Sequence, residues 1–295
     1  MPAVEQYPFG VGGITTRALE SGSGPRPVLC LHGAGSRADR WRPQFPLLTD
    51  AGYHVYAIDL PGHGMAEKRH DYPYGAIAFS EVVEKFIERY VEGAPVIVLG
   101  TSLGGHVAAT LAGRRPDLVR ATVLIGAVGL VARGTADRPQ VSPIVDPGPA
   151  GVRRKLEFLV HDQSLVNDTW IAEELRINSS PGAAEALAAV AAYAATRQDH
   201  ELAAEALAAS GVPTLLCWGA EDRWVPLHLG EAAAAAMPGV ELVTVPDAGH
   251  APYFERPVEF WQAIEPFMTS LDPSAAAMDV TAGATSGVSA GRAGS

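Results

Sequence analysis

Residues 94–115, APVIVLGTSLGGHVAATLAGRR, run from a short apolar segment through an abrupt turn into an Ala-rich segment, which reads as strand, turn and helix. Ser102 lies at the tip of the turn, inside Gly100-Thr101-Ser102-Leu103-Gly104. A serine carried above a sheet on such a turn takes strained backbone angles and draws the residues two before and two after it into close approach, where only glycine has room. The helix that follows aims its free N–H groups at the serine, that of Leu103 first. The turn therefore offers a nucleophile and half of an oxyanion hole. The pentapeptide alone is weak evidence in a chain with 31 glycines, and Gly287-Val288-Ser289-Ala290-Gly291 fits it too. That second match sits in a polar Gly/Ala/Ser-rich stretch with no strand before it and no helical period after it, so context selects Ser102.

A turn of this kind needs a sheet beneath it. After an opening hairpin over residues 4–20, apolar runs of strand length recur at 27–31, 54–59, 96–99, 121–125, 214–218 and 241–245, nearly all separated by helix-length segments. Continuous rather than alternating apolar strands mean burial on both faces, hence a mainly parallel sheet between helices, with ligands at the carboxyl ends of the strands. The alternation breaks after 121–125: residues 130–150 are a Pro/Gly-rich loop and 151–210 read as helices, so 130–210 is expected to be a helical lid. The expected organisation is a core in two parts, 1–129 and 211–271, with this insertion between them and a disordered tail over 272–295.

Activating a serine takes a base, and the base needs an orienting carboxylate. Of the nine histidines, His250 alone combines the mouth of a late strand with a Gly-flanked loop before a terminal helix. His106 is expected to pack on the helix side of the turn, and His54, His70, His161, His200 and His228 fall at a strand start or on surface and lid segments. Asp222, at the end of the preceding strand, completes the chain order Ser, Asp, His, ahead of Glu221 and of Asp247, which is expected to brace the loop. The second oxyanion donor is expected at Ala34, in His32-Gly33-Ala34-Gly35 after the 27–31 strand. In Asp59-Leu60-Pro61-Gly62-His63-Gly64 the aspartate is expected to fix the loop and the histidine to be packed or exposed. No histidine cluster has metal-ligand spacing, and no cofactor is called for.

Acidic residues outnumber basic ones 33 to 22 with no Lys/Arg run, which argues against nucleic acid or an anionic membrane as partner. No apolar run approaches the roughly 20 residues that span a bilayer, and MPAVEQYPFG lacks a signal pattern, so a cytoplasmic protein is expected. Cys30 and Cys217 lie within apolar strands and read as buried thiols.

Together these residues resemble the α/β-hydrolase family over about residues 14–271, and within it the meta-cleavage-product hydrolases, which cut a carbon-carbon bond in vinylogous diketones. The segments at 158–165, 126–130 and 218–226 carry the likeness. The resemblance implies an eight-stranded, mostly parallel sheet with a helical lid after strand 6. It also implies a small, largely apolar substrate attacked at a carbonyl, with Leu103, Val128, Phe158 and Trp224 lining its pocket and Arg176 as a stand-in for a lid arginine. Three positions depart from that group: Thr101 replaces asparagine, Ala251 replaces tryptophan, and the lid arginine falls at about Ser179. Ester, lactone and carbon-carbon cleavage need the same machinery and stay open. A small-molecule receptor or an acyltransferase or perhydrolase on the same fold is the alternative, and homo-oligomerisation is left open.

Overall fold

The computed structural model describes residues 3–93, 95–138, 146 and 148–271. The expected tail, the second G-x-S-x-G match and residues 139–145 and 147 of the Pro/Gly-rich loop lie outside them. Eight strands, β1 (Glu5–Val11), β2 (Ile14–Ser21), β3 (Arg26–Leu31), β4 (Tyr53–Ile58), β5 (Val96–Thr101), β6 (Val119–Ile125), β7 (Thr214–Gly219) and β8 (Glu241–Val245), form one sheet in the order β1-β2-β4-β3-β5-β6-β7-β8. The β1–β2 hairpin joins β4 antiparallel, and every later pairing is parallel. Its turn rests on Gly12 and Gly13, both at positive φ, which glycine adopts without steric cost. The central strands β3, β5 and β7 are buried almost without interruption, as their unbroken apolar runs require. β8 is half exposed because it is the sheet's edge, a position its apolar run does not reveal.

The helices are α1 (Phe45–Asp50), α2 (Ala76–Tyr90), α3 (Leu103–Arg114), α4 (Pro149–Leu159), α5 (Asp168–Asn178), α6 (Ala183–Thr196), α7 (Ala204–Ser210), α8 (Leu227–Ala236), α9 (Pro252–Glu255) and α10 (Pro257–Ser270). On one face of the sheet Phe79, Phe86, Val107, Leu111 and Leu207 share a core, and on the other Trp41, Phe45, Phe260 and Ile264 share a second. Each fully buried side chain of this size contributes about 1.5–3 kcal/mol.

Among the described residues, the four helices between β6 and β7 divide in their packing. In Ala-rich α6, Ala183, Ala186, Leu187, Val190 and Tyr193 form a buried stripe at helical spacing, and α6 and α7 join the main core. α4 and α5 instead build a small cluster of their own, from Val152, Leu156, Val160, Trp170 and Ile171. Among the described residues no helix is long and apolar enough to cross a membrane.

Candidate active site

β5 delivers Ser102 into the turn with φ +53° and ψ −116°, a conformation L-residues rarely adopt. Added Cβ atoms show why the flanking residues are glycines: at Gly100 one would lie 2.3 Å from the carbonyl oxygen of Gly104, and at Gly104 one would lie 2.5 Å from that of Leu31. The turn is held by the Ser102 N–H donating to Ile125 (2.8 Å) and by the Ser102 carbonyl accepting from His106 (3.1 Å) and Val128 (3.3 Å). Leu103 opens α3, so its N–H has no intrahelical acceptor.

The loop after β3 passes directly over the serine. A Cβ on Gly33 would lie 3.0 Å from that of Ser102, and Ala34, the other expected oxyanion donor, borders the same cavity. His32 shapes this loop. Its Nε2 accepts from the Leu60 N–H (2.9 Å), so its Nδ1 carries the proton that meets the Gly33 carbonyl at 2.8 Å. Burial lowers the His32 pKa and pushes that of His63 down to about 3, so both rings are neutral and His63 is packed. Asp59 fixes its loop, accepting from the N–H groups of Ala38 (2.7 Å) and Met65 (2.8 Å).

On the far side of the serine, His250 Nδ1 lies 2.7 Å from Asp222 Oδ2. The other Asp222 oxygen accepts from the N–H groups of Trp224 (2.7 Å) and Val225 (2.8 Å), so its own loop sets the angle of the carboxylate. The His250 ring stacks on Trp224, with centroids 5.8 Å apart and planes 13° apart. Its Nε2, buried and without a hydrogen-bond partner among the described residues, belongs to the same cavity wall as Ser102. Glu221 and Glu255 brace the loop: Glu221 accepts from the Ala248 N–H (3.0 Å), while Glu255 takes Gly249 (2.8 Å) and His161 (2.7 Å). Asp247, expected to brace it, instead lies exposed at φ +53°, and its backbone carbonyl accepts from Arg256 (3.1 Å). His106 is packed as expected, its Nε2 2.7 Å from the Glu201 carbonyl.

Ser102 and His250 open onto a slot walled on its apolar sides by Leu156, Leu159, Trp224, Ala251, Tyr253 and Phe254. The cavity is about 570 Å³, part of it open to solvent. Of the substrate-contacting residues expected from sequence, Trp224 lines it, whereas Leu103, Val128, Phe158 and Arg176 do not. Val128 is buried in the core beside the Ser102 turn. Phe158 supports Trp224 from behind, 5.8 Å between centroids, with the Arg223 guanidinium 5.3 Å over its own ring. Arg176 is exposed on α5, and so is Ser179 at the helix end. Thr101 and Ala251, two of the positions where the chain departs from the meta-cleavage-product group, both face the slot.

The charged residues that do line it are Arg40, Lys155 and Glu174, none of them a candidate from sequence, and they are 8%, 5% and 2% exposed. Glu174 accepts from Arg40 Nη2 (2.5 Å), Arg37 Nη1 (2.7 Å) and Lys155 Nζ (3.2 Å), and Lys155 also donates to the Gly35 carbonyl. The signal lay in α4, where Lys155 falls on the stripe Val152, Lys155, Leu156, Leu159 that apolar residues otherwise occupy. Arg40 sits 4.6 Å from the Trp170 ring and 5.3 Å from that of Phe254, a setting no local pattern announces.

Burial alone would raise the Glu174 pKa, but Lys155, Arg40 and Arg37 outweigh it and bring it from 4.5 to about 2. A carboxylate with a depressed folded pKa stabilises the fold fully above its unfolded value and loses that contribution as pH falls through the folded one. Glu174 is therefore expected to contribute roughly 3 kcal/mol that disappears between about pH 4.5 and 2. Urea unfolding across that range checks it: Glu174→Gln should be less stable at neutral pH and show a flatter acid limb than the unsubstituted protein.

Residues 28–263 match the model of the alpha/beta hydrolase family. The chain belongs to that family, and it is an enzyme of the hydrolase type. It is 33% identical to the dihydrolipoyllysine-residue acetyltransferase component of the acetoin cleaving system of Cupriavidus necator, over 88% of this chain and 68% of that one. It is 30% identical to a 2-hydroxymuconate semialdehyde hydrolase of Pseudomonas putida, over 88% of this chain and 92% of that one. Among solved structures, a serine hydrolase involved in carbazole degradation superposes with TM-score 0.79 at 25% identity, over 90% of this chain and 99% of that one. Relatives of the meta-cleavage-product group are thus among its matches, as the sequence resemblance implies.

Proposed function

We propose that the protein is a serine hydrolase that cleaves a small substrate at a carbonyl through Ser102, His250 and Asp222. The observation that carries this reading is the His250–Asp222 bond of 2.7 Å on the same cavity as a strained serine at a helix N-terminus. In this mechanism Nε2 of His250 takes the Ser102 proton as the hydroxyl oxygen attacks the carbonyl carbon. Asp222 keeps the imidazole oriented and balances the imidazolium, and the N–H groups of Ala34 and Leu103 hold the oxyanion. The imidazolium returns its proton to the leaving group, and water activated by the same histidine releases the product. α4 and α5, which carry Lys155, Leu156, Leu159 and Glu174 over the slot, act as its lid and limit water access.

Cleavage of a carbon-carbon bond beside a ketone is the second reading, supported by the 2-hydroxymuconate semialdehyde hydrolase relatives at 30% identity. The two separate on the ratio of kcat/KM for p-nitrophenyl butyrate and for a 6-phenyl meta-cleavage dienoate. Ser102-dependent turnover of at least one is expected. Preference for the ester assigns an esterase, preference for the dienoate assigns carbon-carbon cleavage, and turnover of neither contradicts the hydrolase mechanism.

A further inference from the structure

Arg133, in the loop that follows β6, is a partly buried cation that the proposed chemistry leaves unused. Its Nε is buried and has no hydrogen-bond partner among the described residues. Its Nη2 donates to two backbone carbonyls, those of Asp137 (2.5 Å) and Trp224 (2.7 Å), and to no carboxylate. Burial, and then the Arg138 guanidinium, lower its pKa, and of the carboxylates that pull the other way Asp222 acts more strongly than Asp199 or Asp137. Those last two are each engaged by another cation, Asp199 by Arg138 (2.5 Å) and Asp137 by His228 (3.1 Å). A guanidinium taken out of water without a partner carboxylate is costly to hold, so its two acceptors are where its role lies.

One of those acceptors leads to the triad. The Trp224 carbonyl belongs to the peptide group that joins Trp224 to Val225, and the N–H of that same group, on Val225, donates to Asp222 Oδ1 (2.8 Å). A peptide group is a rigid plane with its C=O and N–H pointing in opposite directions, so a donor that fixes the oxygen also fixes the direction of the N–H. Asp222 Oδ2 in turn faces His250 Nδ1 at 2.7 Å. Between Arg133 and the ring of the base there are thus one peptide group and one carboxylate. A cationic donor at the carbonyl also polarises the peptide, which strengthens the bond its N–H gives to Asp222. The start of the same loop meets the pair directly, since a Cβ on Gly126 would lie 3.0 Å from His250 Nδ1 and 3.1 Å from Asp222 Oδ2.

We infer that Arg133 is a positioning residue for the reaction: by holding the Trp224–Val225 peptide it fixes the plane of the Asp222 carboxylate, and with it the orientation of His250 towards Ser102. The inference rests on the serine-hydrolase reading for the chemistry. An arginine that merely tied the loop after β6 to the segment at Trp224 would stabilise the fold and leave the reactivity of Ser102 in the folded protein unchanged.

The test is the second-order rate constant for phosphonylation of Ser102 by a fluorophosphonate, on protein that urea unfolding shows to be folded under the assay conditions. Arg133→Met is expected to slow it by about tenfold or more. Arg133→Lys, which keeps a cationic donor only one bond shorter, should stay within about threefold of the unsubstituted protein. The decisive comparison is made in the Asp222→Asn background, where Arg133→Met should cost no more than about twofold because the carboxylate it acts through is gone. An unchanged rate in Arg133→Met, a lysine that restores nothing, or a tenfold loss that persists in Asp222→Asn would overturn the inference. Where Arg133→Met does not fold, Arg133→Gln, two bonds shorter than arginine, is read by the same criteria. Failure of the hydrolase reading shows itself differently, as an unsubstituted protein that the reagent leaves unmodified, and would take this inference with it.

Discussion

Replacing Ser102 by alanine is expected to lower kcat by about 10⁴-fold or more on any substrate the protein turns over, with little change in stability. The loss is large because, in the proposed mechanism, the hydroxyl is the atom that forms the covalent bond. Stability should hold because the positive φ of 53° burdens alanine as it burdens serine, and the hydrogen bonds that fix the turn run through the backbone of residue 102. Steady-state kinetics with urea unfolding of the same preparation checks both halves. A variant that kept its turnover would exclude Ser102 as nucleophile, and one that unfolded would say that the turn, rather than the chemistry, had been damaged.

Asp222→Asn is expected to cost about 10³- to 10⁴-fold in kcat through the tautomer of His250. The carboxylate has two jobs, one oxygen accepting from the N–H groups of Trp224 and Val225, the other facing Nδ1 of His250. Asparagine has a single acceptor oxygen. With two backbone donors claiming that oxygen, its amide presents N–H to Nδ1, so the ring proton moves to Nε2 and the base arrives at Ser102 already protonated. The fall should appear in kcat more than in KM, because the ring still stacks on Trp224 and the cavity wall is unchanged. A loss confined to KM would place Asp222 in substrate binding instead.

What was legible in the sequence was local. The strand-turn-helix around Ser102 is written in consecutive residues, with Gly100 and Gly104 supplying the space that the backbone crossing demands. Asp222 and His250 were readable for a related reason, since each follows a strand and the parallel sheet brings strand ends to one edge. The charged wall of the slot was not, because Arg40, Lys155 and Glu174 come from three segments that only the tertiary fold assembles. Arg176, offered as a stand-in for a lid arginine that falls at about Ser179, lies on the outer side of α5. On a helix two positions are about 200° apart, so with Glu174 turned into the slot Arg176 faces solvent. Phe158 was placed in the right neighbourhood but one layer too far forward, behind Trp224 rather than beside it.

The measurement that bears most directly on the central claim is intact-protein and peptide mass spectrometry after exposure to a fluorophosphonate, which phosphonylates an activated serine and leaves ordinary hydroxyls alone. The account predicts one added phosphonyl group, carried by the peptide that contains Ser102 and absent from Ser102→Ala. No adduct, or an adduct on another residue that persists in Ser102→Ala, would contradict it.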